Sequence, residues 1–190
     1  NCIISKCSIV NDSIGDRYLS ISVTNVGTSS SSAMGSLVGL ASDTTLSDCS
    51  VAGLSLSLES REDTWGNKNY SMGGLVGQCS NSSLSNCEVN KVIMEGLTPT
   101  QSSSFLLAGG MVGSFSSSGE TEKQMSGCKA TSVRFVAKSQ KSYAVGGVVG
   151  FKDGGSVASS NSFSDAYLYS KTNPSGLLIQ TAIGEKVTPK

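Results

Sequence analysis

Gly73-Gly74-Leu75-Val76-Gly77 returns three more times in this 190-residue chain, as Gly35-Ser36-Leu37-Val38-Gly39, Gly109-Gly110-Met111-Val112-Gly113 and Gly146-Gly147-Val148-Val149-Gly150. The copies start at residues 35, 73, 109 and 146, and a degenerate fifth, Gln180-Thr181-Ala182-Ile183-Gly184, starts at 180. Self-similarity at a nearly fixed step marks an array of equal units, none of which buries its own apolar face. Residues 1–190 therefore read as a single repeat domain.

Two further segments recur with the glycine stretch. Ile4-Ser5-Lys6-Cys7-Ser8-Ile9 has counterparts at 46–51, 84–89 and 125–130, and at 157–162 the cysteine is lost. Its apolar residues do not alternate strictly, which predicts a strand with a bend or bulge. In the third segment Leu19, Ile21 and Val23 alternate with Ser20 and Ser22, and Leu54, Leu56 and Leu58 with Ser55 and Ser57. Residues 92–94, 133–136 and 166–169 hold the place later, and alternation of this kind marks a half-buried strand. Three strands per repeat, with no helical period between them, predict an all-β parallel β-solenoid, or β-helix, of about four and a half three-stranded coils. Equivalent residues would stack about 4.8 Å apart. A β-propeller, the competing repeat fold, needs four strands per blade.

A period of two puts Met72, Gly74 and Val76 on one face of the glycine strand and Gly73, Leu75 and Gly77 on the other. Small sits between large in each copy, which predicts a packing column, with the outer glycines permitting a tight corner or positive φ. Phosphate binding would require a helix after the glycines and a suitable Lys, whereas Gln78-Cys79-Ser80 follows.

The recurring Gly-Gly-Leu-Val-Gly, followed by a polar turn and a segment such as Leu84-Ser85-Asn86-Cys87, resembles the GLUG repeats of bacterial and other microbial surface proteins, including the stalk regions of immunoglobulin A peptidases. The resemblance runs from Ile4 to Gly184. It implies a secreted or surface-displayed adhesin-like or spacer region without catalysis. The cysteine in the second segment departs from many such repeats.

Composition narrows the chemistry. Fourteen basic and fourteen acidic side chains cancel, so nothing draws the chain to nucleic acid or an anionic membrane. No run of about 18 apolar residues predicts a membrane span, and Asn1 opens without signal-peptide character, as in a mature or excised chain. With no histidine, the Ser-His and Cys-His nucleophile pairs are absent. The catalytic alternative is carboxylate chemistry by a carbohydrate-active enzyme, or a glycan-binding module, on a β-helix scaffold. Asp48 is the best-placed carboxylate, but its equivalents Lys6, Asn86, Gly127 and Ser159 form no acidic pair with it. No cofactor is expected.

The candidate contact residues are Arg61, Glu62, Asp63 and Trp65, in the one dense polar cluster. They read either as a stacking plate with polar grips for a glycan or protein, or as a solvated loop. Asn11, Asn69 and Asn81 are candidate glycosylation sites, which fits an extracellular or cell-surface location. Cys7, Cys49, Cys87 and Cys128 occupy equivalent positions and predict an inward column of free thiols ending at Ser160. Cys2 and Cys79 lie outside it, and zinc lacks both paired knuckles and histidine. No capping element protects the terminal strand edges, which reads either as head-to-tail self-association into a filament or as a piece of a longer array.

Overall fold

The computed structural model describes residues 2–11, 18–25, 32–60, 69–97, 105–118, 123–138, 143–170 and 174–185, and among them there are strands and no helix. The first strands are β1 (Cys2–Ser5), β2 (Ser8–Val10) and β3 (Leu19–Asn25). Four sets of four follow. The first is β4 (Ser32–Gly35), β5 (Val38–Ser42), β6 (Thr44–Ser47) and β7 (Ser50–Ser60), and the second is β8 (Asn69–Gly73), β9 (Val76–Ser80), β10 (Ser83–Ser85) and β11 (Glu88–Leu97). The third is β12 (Phe105–Gly109), β13 (Val112–Ser116), β14 (Gln124–Ser126) and β15 (Lys129–Ala137). The fourth is β16 (Tyr143–Gly146), β17 (Val149–Asp153), β18 (Ser156–Val157) and β19 (Ser162–Ser170), after which comes β20 (Leu177–Leu178).

Sheet A contains β1, β6, β10, β14 and β18, and sheet B contains β2, β3, β7, β11, β15, β19 and β20. Sheet C contains β4, β8, β12 and β16, and sheet D contains β5, β9, β13 and β17. Each set of four thus enters sheets C, D, A and B in that order. Strands of successive sets pair in parallel, as in Met34↔Met72, Val76↔Val112 and Leu56↔Met94. The exception is β20, which runs antiparallel to β19. The protein is all-β and built on parallel sheets. Near its C-terminal end Ile183 bridges Val149 in parallel, and the Gly184 N–H donates to the Val149 carbonyl.

Each repeat contains four strands where the sequence predicts three. The glycine stretch breaks at Gly74-Leu75 into the end of β8 and the start of β9. Met72, Leu75 and Val76 are all buried, so a strict period of two fails at this turn. The cysteine segment divides as well: Leu46 and Ser47 end β6 in sheet A, and Ser50 begins β7 in sheet B. Lys6, Asp48, Asn86 and Gly127 sit at that corner with positive φ. The predicted third strand is the continuation of the same sheet B strand, bent where Gly53, Lys91, Ser132 and Asp165 take positive φ. Those four positions drop out of the pairing register while residues on either side keep it. A local left-handed residue turns the chain without interrupting the sheet.

Columns of like residues fill the interior. Leu46, Leu84 and Met125 stack along sheet A, and Leu56, Met94, Phe135 and Leu168 along sheet B, all buried. A parallel sheet repeats its side-chain positions at about 4.8 Å, so each apolar group meets its counterpart above and below.

The glycines answer to close approach rather than to positive φ, which none of Gly35, Gly73, Gly77, Gly109 and Gly113 adopts. A methyl on Gly73 would meet the Val76 carbonyl, the Gly113 nitrogen at 2.8 Å and the Met111 oxygen at 2.8 Å. One on Gly113 would meet Gly77 and Met72 backbone atoms at 2.5 Å. Sheets C and D therefore press together backbone against backbone. The middle position is small for the same reason and one more: a methyl on Gly74 or Gly110 would meet the carbonyl oxygen of Gly110 or Gly147 in the next repeat and then the Val89 or Ala130 side chain, while one on Gly147 would meet the Phe163 ring.

Candidate functional site

The cysteine corner between sheets A and B has the most regular side-chain chemistry. Ser8↔Ser50, Ser50↔Glu88 and Glu88↔Lys129 are paired, which brings the preceding Cys7, Cys49, Cys87 and Cys128 into one column. Each thiol donates to the carbonyl two residues earlier: Cys7 to Ser5 at 3.6 Å, Cys49 to Ser47 at 3.2 Å, Cys87 to Ser85 at 3.3 Å and Cys128 to Ser126 at 3.5 Å. A left-handed residue turns the chain, and the next side chain returns a hydrogen bond across the turn. The corner from sheet D to sheet A follows the same rule with hydroxyls. Asp43 and Asn81 have positive φ, and Thr44 and Ser82 donate to the Ser42 and Ser80 carbonyls at 2.8 Å. Cysteine is thus the buried counterpart of serine here, a weak donor that an apolar interior accepts.

The column ends at Asn161, not Ser160. The repeat step is shorter in sheet A, where Met125 pairs with Val157, than in sheet B, where Lys129 pairs with Ser162. One extra residue is taken up in the turn between, and Asn161 arrives in the cysteine position. Its Oδ1 accepts from the Cys128 N–H at 2.9 Å, and its Nδ2 donates to the Met125 and Ala158 carbonyls, each at 2.8 Å.

All six cysteines are free thiols. Cys79, in β9, is buried, and burial pushes its thiol up to about 12 against a weaker opposing hydrogen bond from Ser82. The neighbouring Cys128 thiol, together with burial, pushes Cys87 up as well. Thiols held in this state are poor nucleophiles and poor metal ligands. Among the described residues no group of three or more Cys, Asp or Glu side chains converges as a metal site.

The remaining predicted residues are scattered. Arg61, Glu62, Asp63 and Trp65 lie outside the described residues. Asn69 opens β8 and is exposed, while its triplet partner Ser71 is buried. The Nδ2 of Asn11 donates to the Gly53 carbonyl at 3.3 Å. Asn81 turns the D-to-A corner, and its Oδ1 accepts from the Ser118 N–H at 2.8 Å. Asp48 is exposed at its corner. On the outer face of sheet B, the Arg134 guanidinium donates to the Asp165 carbonyl oxygen at 2.7 Å and carboxylate at 3.3 Å, and lies 4.8 Å over the Tyr167 ring.

Sequence reading missed a groove where sheets C and D diverge from their glycine contact. It encloses about 240 Å³ between Asn69, Ser71 and Leu107 on one wall and Gln78, Ser114, Ser116, Phe151 and Asp153 on the other, with Phe115 beneath. Ser71 Oγ donates to Ser114 Oγ at 3.0 Å across its floor. These positions fall between the recurring glycines and loops, where a search for repeats sees only variation. No family model, curated protein or solved structure matches this chain.

Proposed function

We propose that this chain is a parallel β-solenoid, with one coil per set of four strands, serving as a non-enzymatic surface or extracellular module. The observation that carries the reading is the fixed order of sheets C, D, A and B in all four sets, with like residues in register. The GLUG resemblance gives the setting of an adhesin-like or spacer region displaying variable loops to a glycan or protein. Its rise is only about 4.8 Å per repeat. Each coil therefore contributes stiffness and lateral surface, and reach comes from adding coils end to end. The sheet edges at the N-terminal end favour such addition: Ile3 on β1 and Leu40 on β5 are 77 % and 60 % exposed on strands with one neighbour, whereas the antiparallel β20 covers part of the sheet B edge at the other end. An open parallel edge accepts a further strand, from a second copy joined head to tail or from further repeats.

Spin labels at Ser8 and Ser162, four pairings apart and both exposed, test the coil. A solenoid places them about 20 Å apart. A separation well above that would refute it. Electron microscopy over a concentration series tests end-to-end addition, with discrete particles throughout ruling it out. For the non-enzymatic reading, turnover of an acidic or neutral polysaccharide, abolished by Asp48→Asn or Glu62→Gln, would overturn it.

A further inference from the structure

We infer that the groove between sheets C and D is a binding site for a single neutral pyranose ring. Gln78, Ser114 and Phe151 are register equivalents on sheet D, as are Ser71 and Leu107 on sheet C. A groove kept only for packing would repeat one small or apolar residue at each level. Instead the level before holds Ala33 and Leu40, and Ser71 with Gln78 and then Leu107 with Ser114, three of the four polar, follow before Ala144 and Phe151 close the run. Polar groups are thus concentrated in the middle two levels, beside one aromatic ring.

The chemistry of this set is that of polyol recognition. The Gln78 amide offers a donor and an acceptor side by side, matching the spacing of vicinal hydroxyls. Ser114 and Ser116 add hydroxyls, Ser116 already sharing a hydrogen bond with Ser80 at 3.2 Å, and Ser71, only 2 % exposed, presets the floor by its bond to Ser114. Phe151 supplies an apolar face for the C–H side of a sugar ring. The groove is half open to solvent, and its volume of about 240 Å³ lies below the roughly 300 Å³ at which drug-sized clefts begin, which suits one ring rather than a chain buried along its length. Among the described residues Asp153 is the groove's lone ionisable side chain, and its carboxylate disfavours uronates and other anionic sugars. One carboxylate makes no acid–base pair, so the site binds and does not cleave. This inference is independent of the surface-module reading, since it concerns sheet faces and not the loops.

Saturation-transfer NMR and calorimetry on the full chain, with a panel of neutral methyl pyranosides and the corresponding uronates, test it. At least one neutral pyranoside is expected to bind in the millimolar range, about −4 kcal/mol, as a single exposed ring allows. Phe151→Ala and Gln78→Leu are each expected to weaken binding about tenfold or more. Asp153→Asn, at an exposed position, is expected to fold normally and to admit the uronate. The inference is overturned if no neutral pyranoside binds at about 20 mM, if the uronates bind the unmodified protein equally well, or if Asp153→Asn leaves both classes unchanged. A variant that fails to melt cooperatively is replaced by Ser116→Val, from which the same tenfold loss is expected.

Discussion

The turn from sheet C to sheet D is specified by side chains that are missing, whereas the corner from sheet A to sheet B is specified by one that must be present. At Gly73 the space a methyl would take is filled by the backbone of β9 and of the next repeat. At Cys87 a thiol occupies the space and bonds the Ser85 carbonyl. The first constraint is steric and rigid, because backbone cannot move without shifting two strands. The second is a matter of hydrogen bonding and volume, so it tolerates chemical change. The two junctions should therefore respond very differently to substitution.

The largest effect is expected at the rigid junction. Gly73→Ala should cost more than about 3 kcal/mol, beyond ordinary overpacking, because the clash is with backbone on three sides. Gly39→Ala is its control. The nearest atom there is the Ala33 oxygen at 3.1 Å and φ is not positive, so the loss should stay within about 1 kcal/mol. Urea denaturation of both variants decides it, and equal losses would mean that close approach is not what these glycines serve.

The end of the cysteine column comes next. Asn161→Ala should cost about 2–3 kcal/mol, since it strips partners from the Cys128 N–H and from two carbonyls at once. Asn161→Asp should do no better. It keeps the acceptor for Cys128 but sets a carboxylate against the Met125 and Ala158 oxygens. If Asn161→Asp matches the unmodified protein in denaturation, the two donated bonds contribute nothing.

Within the column, Cys87→Ala should cost about 1–2 kcal/mol from the lost thiol and the small void. Cys87→Ser should be milder than Cys87→Ala, because a hydroxyl makes this bond at Ser82 and Thr44 in the neighbouring corner. The order of the two midpoints is the measurement. Serine below alanine would leave the thiol an apolar filler with no donor role.

These contrasts show why parts of the molecule were legible in sequence. The glycine spacing gave the repeat and the parallel, all-β character, because identical units must stack in register. The alternation of Leu54, Leu56 and Leu58 gave the inward face of sheet B directly. The strand count was not legible, since the breaks depend on positive φ at Asp48, Asn86 and Lys91, and only some of those residues are types that favour it. Alternation puts Leu75 and Val76 on opposite faces, and both are buried because the chain turns between β8 and β9. Asn161 was missed because a one-residue difference between the steps of sheets A and B moves it into the cysteine column. The groove was invisible for a related reason: Gln78, Ser114 and Phe151 come together only through register, 36 or 37 residues apart along the chain.

A third junction, the bend within sheet B, lies between the two extremes, and its effect should be the smallest. At the last two levels the bend residues Ser132 and Asp165 bond directly, Ser132 Oγ donating to the Asp165 carboxylate at 2.7 Å. That hydrogen bond, with the Arg134 guanidinium second, holds the Asp165 carboxyl below its ordinary range. A carboxyl depressed in the folded state adds stability above its unfolded value near 3.8, and the gain disappears as pH falls through the lower folded value. Because the side chain is 45 % exposed, solvent screening limits the gain to a few tenths of a kcal/mol. Ser132→Ala should therefore lose that amount at pH 7 and lose nothing relative to the unmodified protein once Asp165 is protonated in both. Denaturation midpoints at pH 7 and near pH 2 give the double difference. A loss that persists unchanged at low pH would assign the effect to the bend geometry of Ser132 alone, and the sheet B bend would then join the glycine turn as a junction set by backbone shape.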